Sequence, residues 1–153
     1  MPETEITLES LVGIAALQGI NFFAISAVRS EPDVETPEPG QAIDIAPTHS
    51  LETAFRDDDK GFRARFRTNI DVHIGTVFTD VAVEYLTGEV PASSISQAVL
   101  LEFVNHVALM TTFPYIRQAV SDVTQRVFGS ALLLPMVQRG EIDFSLTVVP
   151  AES

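Results

Sequence analysis

Three scattered histidines, a run of aspartates and three alternating arginines are the residues here whose types could do chemistry. His49, His73 and His106 share no spacing that would gather them on one metal ion. Asp57-Asp58-Asp59, followed by Lys60-Gly61, lacks the alternate ligand positions and distal glutamate of a calcium loop and reads as a solvated turn. Arg63, Arg65 and Arg67 could hold an anion. Asp80 and Glu84 recur in the next apolar run, so pairing between strands is the simpler reading of those charges. With no cysteine in the chain, disulfides, thiol catalysis and thiolate metal sites are excluded. No activated-nucleophile motif, phosphate-binding glycine loop or dinucleotide fingerprint is present. Read this way, the chain is not an enzyme and calls for no cofactor and no metal.

What the residues do offer is apolar surface. The chain has 153 residues, enough for one domain with a real core, and 46% of them are hydrophobic. Its net charge of −12 disfavours nucleic acid and anionic membrane as partners. Leu11 to Val28 is strongly apolar, but Glu3, Glu5 and Glu9 precede it and no Lys or Arg comes before Arg29. That order does not suit a signal peptide. Gln18, Asn21 and Ser26 interrupt the run, so membrane insertion is not expected either.

The elements follow from periodicity. Thr4 to Leu17 predicts a short helix ended by Gly19, with Leu8, Leu11, Val12 and Ala15 on one face. Ile20 to Arg29 predicts a strand apolar on both faces: Ile20, Phe22, Ala24 and Val28 on one, Phe23, Ile25 and Ala27 on the other. Such a strand is usually covered on both sides, here by helices and a second subunit. Ser30 to Lys60, with four prolines and nine acidic residues, predicts a long acidic connection whose second half docks through Ile43, Ile45, Leu51 and Phe55. Gly61 to Ile74 and Thr76 to Leu86 alternate with period two about Gly75 and predict a hairpin. In that hairpin the arginines of the first strand meet Asp80 and Glu84 of the second.

Ser94 with Gln97 predicts a helix start. The helix should reach Pro114, where the chain kinks or restarts, because an internal proline removes a donor and crowds the preceding turn. A second helix follows through Ile116, Val120, Val123 and Val127, with Asp122 and Arg126 paired, to a stop at Gly129. Leu132 to Val137 should lie against the core or another surface, and Asp143 to Val149 predicts a last strand. Phe23, Ile25, Phe103, Leu109, Met110, Leu132, Leu134 and Met136 exceed what one small core readily covers. Such a surplus marks a subunit interface or a binding groove.

Phe113-Pro114-Tyr115-Ile116-Arg117, then Ser121-Asp122-Val123-Thr124, then Leu132-x-Leu134-Pro135, resembles the helix region of SecB, the protein-export chaperone. The order of elements from Gly19 to Val137 resembles that family too. The resemblance implies one α+β domain over residues 1–153, with an antiparallel sheet, long helices packed on one face, and residues 30–60 as a crossover loop. It implies a cytoplasmic, ATP-independent holdase, a homotetramer built as a dimer of dimers. Its apolar grooves would bind unfolded polypeptide such as preproteins. The groove candidates are Phe23, Ile25, Ile45, Phe55, Phe103, Met110, Phe113, Tyr115, Leu132, Leu134 and Met136. Three departures stand out. Phe128-Gly129-Ser130-Ala131 replaces a Gly-Phe-Pro-type turn, the C-terminal segment looks extended rather than helical, and no acidic pair matches the positions that dock the SecA motor. These differences and the N-terminal apolar helix are more similar to the SecB-like proteins of toxin–antitoxin systems, whose client is an unstable antitoxin. The rival reading is an adaptor oligomer whose apolar surface is all subunit interface.

Overall fold

The computed structural model describes residues 6–30 and 46–134. The expected strand at Asp143 to Val149 and the candidates Ile45 and Met136 lie outside the described residues. Four antiparallel strands form one sheet: β1 (Ala16–Arg29), β2 (Thr48–Phe55), β3 (Gly61–Val72) and β4 (Gly75–Leu86), in the order β1-β4-β3-β2. The helices are α1 (Leu8–Ile14), α2 (Gln97–Phe103) and α3 (Leu109–Phe128).

The β3–β4 hairpin matches the expectation from alternation, turning at His73 and Ile74. Phe62, Ala64, Phe66 and Ile70 of β3 and Val77, Val81, Val83 and Tyr85 of β4 form the floor of the core, all 4% exposed or less. The arginines take the opposite face. Gly75 must be glycine at the strand start, because a Cβ there would lie 2.2 Å from the Val28 carbonyl oxygen and 2.7 Å from the Phe128 ring.

Two strand assignments change. The first strand begins at Ala16, not Ile20, so Gly19 lies inside it rather than ending α1. Gly19 instead marks one of two register shifts against β4, between Leu17 and Gly19 and between Phe22 and Ala24. The second shift changes the phase of the strand. Ile20, Phe22 and Ala27 pack towards the core, while Phe23, Ile25 and Val28 stay exposed. The second half of the expected loop is β2, paired with β3 from Thr48↔Asn69 to Phe55↔Phe62. Its polar residues hid a strand that needs only one buried side.

α1 starts at a capping box between Thr7 and Ser10, and its Leu11 is fully buried. Ser96, rather than Ser94, caps α2, accepting a hydrogen bond from the Val99 amide at 3.2 Å; Ser94 belongs to a 3-10 turn over Ala92–Ser94. The helix does not restart at Pro114: α3 runs through it from Leu109 to Phe128. The irregularity comes earlier, as a π turn over Val104–Ala108. Buried side chains recur every fourth residue, at Leu100, Val104, Ala108, Thr112, Ile116, Val120, Thr124 and Phe128. A regular helix turns once in about 3.6 residues, so that stripe would drift around it. The wider i→i+5 pattern of the π turn takes up part of the drift. Pro114 is exposed, away from this stripe. Gly129, at φ 80°, ends α3 as expected. Asp122 takes its hydrogen bond from Gln118 Nε2 at 3.0 Å rather than pairing with Arg126.

The stretch Gln97–Phe128 is long and apolar enough to pass for a membrane span, yet half of its most apolar window is buried within the protein, as in a core helix.

Candidate functional site

Beyond α3 the chain turns back along the helix. Arg117 Nε donates to the Leu134 carbonyl at 2.8 Å, and Thr124 Oγ1 accepts from the Leu132 amide at 2.8 Å. These two bonds seat Leu132 and Leu134 in the core and leave Leu133 exposed. The two halves of the sequence marker, the Phe-Pro-Tyr-Ile-Arg stretch and the Leu-x-Leu segment, are therefore one hydrogen-bonded unit.

This seating corrects the expected surplus of apolar side chains over what one copy can cover. Phe103, Phe113, Leu132 and Leu134 are all 5% exposed or less within a single copy. Phe103 packs edge-on against Phe62 and Tyr85, with centroids 5.5 and 4.9 Å apart. Phe113 lies over His49 of β2 at 6.1 Å. Leu109, also expected in surplus, is fully covered. The helices fold onto their own sheet closely enough to cover side chains that a periodic pattern alone cannot assign to one copy or two. Met110 is half-buried, and Tyr115 is exposed on the side of α3 away from the core.

Among the described residues, two apolar surfaces lie along the edges of the sheet. The first follows β1, a 14-residue edge strand, where Leu17, Phe23, Ile25 and Val28 are 45 to 64% exposed. The second lies between the opposite edge and the helical layer. Thr53 of β2 faces Gln97, Leu100 and Leu101 of α2 across a shallow recess, with Phe55 half-exposed two residues further along β2. His49, Leu51, Thr53 and Phe55 stand opposite the core residues Thr68, Phe66, Ala64 and Phe62, so they line the helix-facing side of this edge. Sequence reasoning found Phe55 but missed Thr53, Gln97 and Leu101. Their types are unremarkable, and only the meeting of β2 with α2 brings them together.

The outer face of the sheet holds the charges. Arg65 donates two hydrogen bonds to Asp80, each 2.7 Å long, and its guanidinium lies 4.2 Å from the Phe23 ring centroid. Arg67 reaches Asp80 at 3.4 Å and Glu52 at 3.0 Å. Asp80 is 5% exposed, and the Arg65 hydrogen bonds hold its carboxyl below the usual carboxylate range against the opposing effect of burial. Arg65 and Arg67 thus clamp β3 to Asp80 of β4, as their spacing predicted. Arg67 also reaches Glu52 of β2, which was not expected, while Arg63 stands opposite Glu84 in register without an ion pair between them. Among the described residues no group of His, Cys, Asp or Glu could hold a metal ion.

No family model matches the sequence, and no curated protein matches it. Solved structures do. A Mycobacterium tuberculosis SecB-like chaperone, solved in complex with a ChAD peptide from the HigA1 antitoxin, superposes with a TM-score of 0.69 at 17% identity, covering 84% of this chain and 95% of that one. A protein of unknown function from Streptococcus agalactiae aligns with a TM-score of 0.44 at 13% identity, over 80% of this chain and 97% of the other. The first likeness shows a SecB-like α+β fold, as the helix-region motif implied.

Proposed function

We propose that this SecB-like chain is a chaperone that holds unfolded polypeptide without nucleotide, in the cytoplasm, as a homo-oligomer. The observation that carries the reading is the open recess between β2 and α2. Among the described residues it combines a strand edge that no other strand pairs, at Thr53 of β2, with Leu100 and Leu101 of α2. An extended chain laid there can satisfy its backbone on the strand edge and bury alternate side chains against α2. The M. tuberculosis neighbour binds an antitoxin peptide, which supports a polypeptide client for this fold and favours an unstable antitoxin over preproteins at large. No role in protein transport through the SecA motor is proposed, since no acidic pair in the sequence matches the positions where the resemblance called for one.

The β1 edge suits a different use. Its exposed apolar residues are concentrated on one edge strand, the arrangement of a self-complementary subunit contact. This favours assigning Leu17, Phe23, Ile25 and Val28 to assembly, in a dimer that can pair again into a tetramer. Phe55, Met110 and Tyr115 stay with the client surface. The adaptor reading survives only if the β2–α2 recess is closed in the assembled protein.

The test is suppression of light scattering by a denatured client diluted into buffer without nucleotide. The expected result is suppression by wild-type protein and its loss in Leu101→Asp, with the oligomer intact by light scattering. Intact wild-type oligomer that neither suppresses aggregation nor binds unfolded peptide would refute the reading.

A further inference from the structure

The turn between β2 and β3 is tied to the segment that leads into α2. Asp59 occupies the left-handed region at φ 59°, a conformation that aspartate tolerates better than most residues. From there its two carboxylate oxygens accept from Ser93, Oδ1 from the amide at 2.8 Å and Oδ2 from the hydroxyl at 2.6 Å. Its own carbonyl accepts from the Ala92 amide at 2.9 Å. The next carbonyl, that of Lys60, accepts from the Thr87 amide at 2.8 Å. Asp58 is engaged within the turn, with Lys60 N and Arg56, so Asp59 is the carboxylate of the run that reaches outward.

The position of this tie gives it a consequence. Asp59 lies just beyond the end of β2, and Ser93 lies just before α2, the two elements that line the recess. α3 rests mainly on β1 and β4, the half of the sheet away from β2, and meets β2 itself where Phe113 lies against His49. We propose that Asp59 and Ser93 are positioning residues that set the separation of β2 and α2 and hence the width of the recess. What the recess holds rests on the chaperone reading; the spacing does not. Ser93 is exposed, so its bonds to Asp59 compete with water, while the neighbouring Ala92 is fully buried.

The absence of cysteine allows two spin labels to be placed cleanly, at Ser50→Cys on β2 and Ala98→Cys on α2. Labelled chain is diluted into excess unlabelled protein so that only distances within one copy are read. Asp59→Ala removes both side-chain bonds and Ser93→Ala removes one, whereas Ser93→Thr keeps both donors. The expected result is a broader distance distribution with a longer component in Asp59→Ala, a smaller effect in Ser93→Ala, and a wild-type distribution in Ser93→Thr. Amide exchange at Ala92 and Ser93 should quicken by about tenfold or more in Asp59→Ala. Binding of a fluorescent apolar peptide should weaken in the same order. Asp59→Ala and Ser93→Ala distributions that both superpose on the wild type would overturn the proposal, and Ser93→Ala decides alone if Asp59→Ala does not fold. If distances respond while wild-type protein binds no peptide, the positioning role stands and the chaperone reading fails.

Discussion

Removing the Asp80 carboxylate should cost more stability than any other change on the outer sheet face. Asp80 is 5% exposed and takes both hydrogen bonds from Arg65 at 2.7 Å, with Arg67 3.4 Å away. Breaking a fully buried pair by deleting one partner costs about 3–5 kcal/mol, because the remaining charge is stranded. Arg65 is not fully buried: its side chain is 21% exposed and can recover some water. Hydrogen bonds to charged groups contribute about 1.5–3 kcal/mol each, and part of that returns through hydration of the freed arginine. Asp80→Ala should therefore lower the unfolding free energy by about 2–3 kcal/mol, read from urea midpoints at one fixed protein concentration. In a double-mutant cycle with Arg65→Ala, the coupling should be about 1.5 kcal/mol or more. The pH dependence gives a second reading. The Asp80 pKa is lowered in the fold, so its contribution is complete above its unfolded value of about 3.9 and is lost as pH falls through the folded value. The gap between wild type and Asp80→Asn should then narrow only below about pH 3.9. A loss under about 0.5 kcal/mol for Asp80→Ala, the range of ordinary surface changes, would refute the clamp.

Pro114→Ala should stabilise the protein, by about 1 kcal/mol or more in the same urea assay, since α3 is continuous and the proline exposed. Loss of stability in that variant would mean that the ring is needed at the helix surface. His49 is half-buried, bonds Thr68 Oγ1 at 2.8 Å, and has its pKa lowered by burial. The unfolded chain therefore takes up this proton first, and stability should fall as pH drops below about 6.5 until the folded imidazole also protonates. His49→Asn should flatten that limb of a melting-temperature profile, and an unchanged slope would remove His49 as its source.

The legible parts of the fold were those with two independent signals. The β3–β4 hairpin carried both alternation and matched charges, and its Arg–Asp pairs formed as the spacing required. β2 is short and polar on its outer side, its one charge match to β3, Glu52 with Arg67, lay inside an acidic stretch, and it is defined by backbone pairing with β3. Pro114 misled because its penalty is local, whereas a long stripe from Leu100 to Phe128 holds the helix to the sheet. Phe103, Phe113, Leu132 and Leu134 are covered within one copy, by ring packing against the sheet and by the hydrogen bonds that turn the chain back along α3. Apolar spacing reveals that a residue needs cover but not whose atoms supply it. The recess was illegible for the opposite reason, since Thr53 and Leu101 are distant in sequence and acquire meaning only when the two layers meet.

The two register shifts in β1 bear on how large an assembly can grow. A sheet with two open edges can add copies head to tail without end, β1 of one chain on β2 of the next, and become a fibre. Here the edges do not match: β1 runs for 14 residues with two irregularities, and β2 for 8 regular ones. In the proposed contact of β1 with its own copy about a two-fold axis, residue i of one chain meets j of the other and j meets i, so the contact uses the same edge twice and closes on itself. In the proposed β1 dimer, the flaws in the strand would act as a stop on polymerisation, keeping a molecule with exposed apolar surface finite.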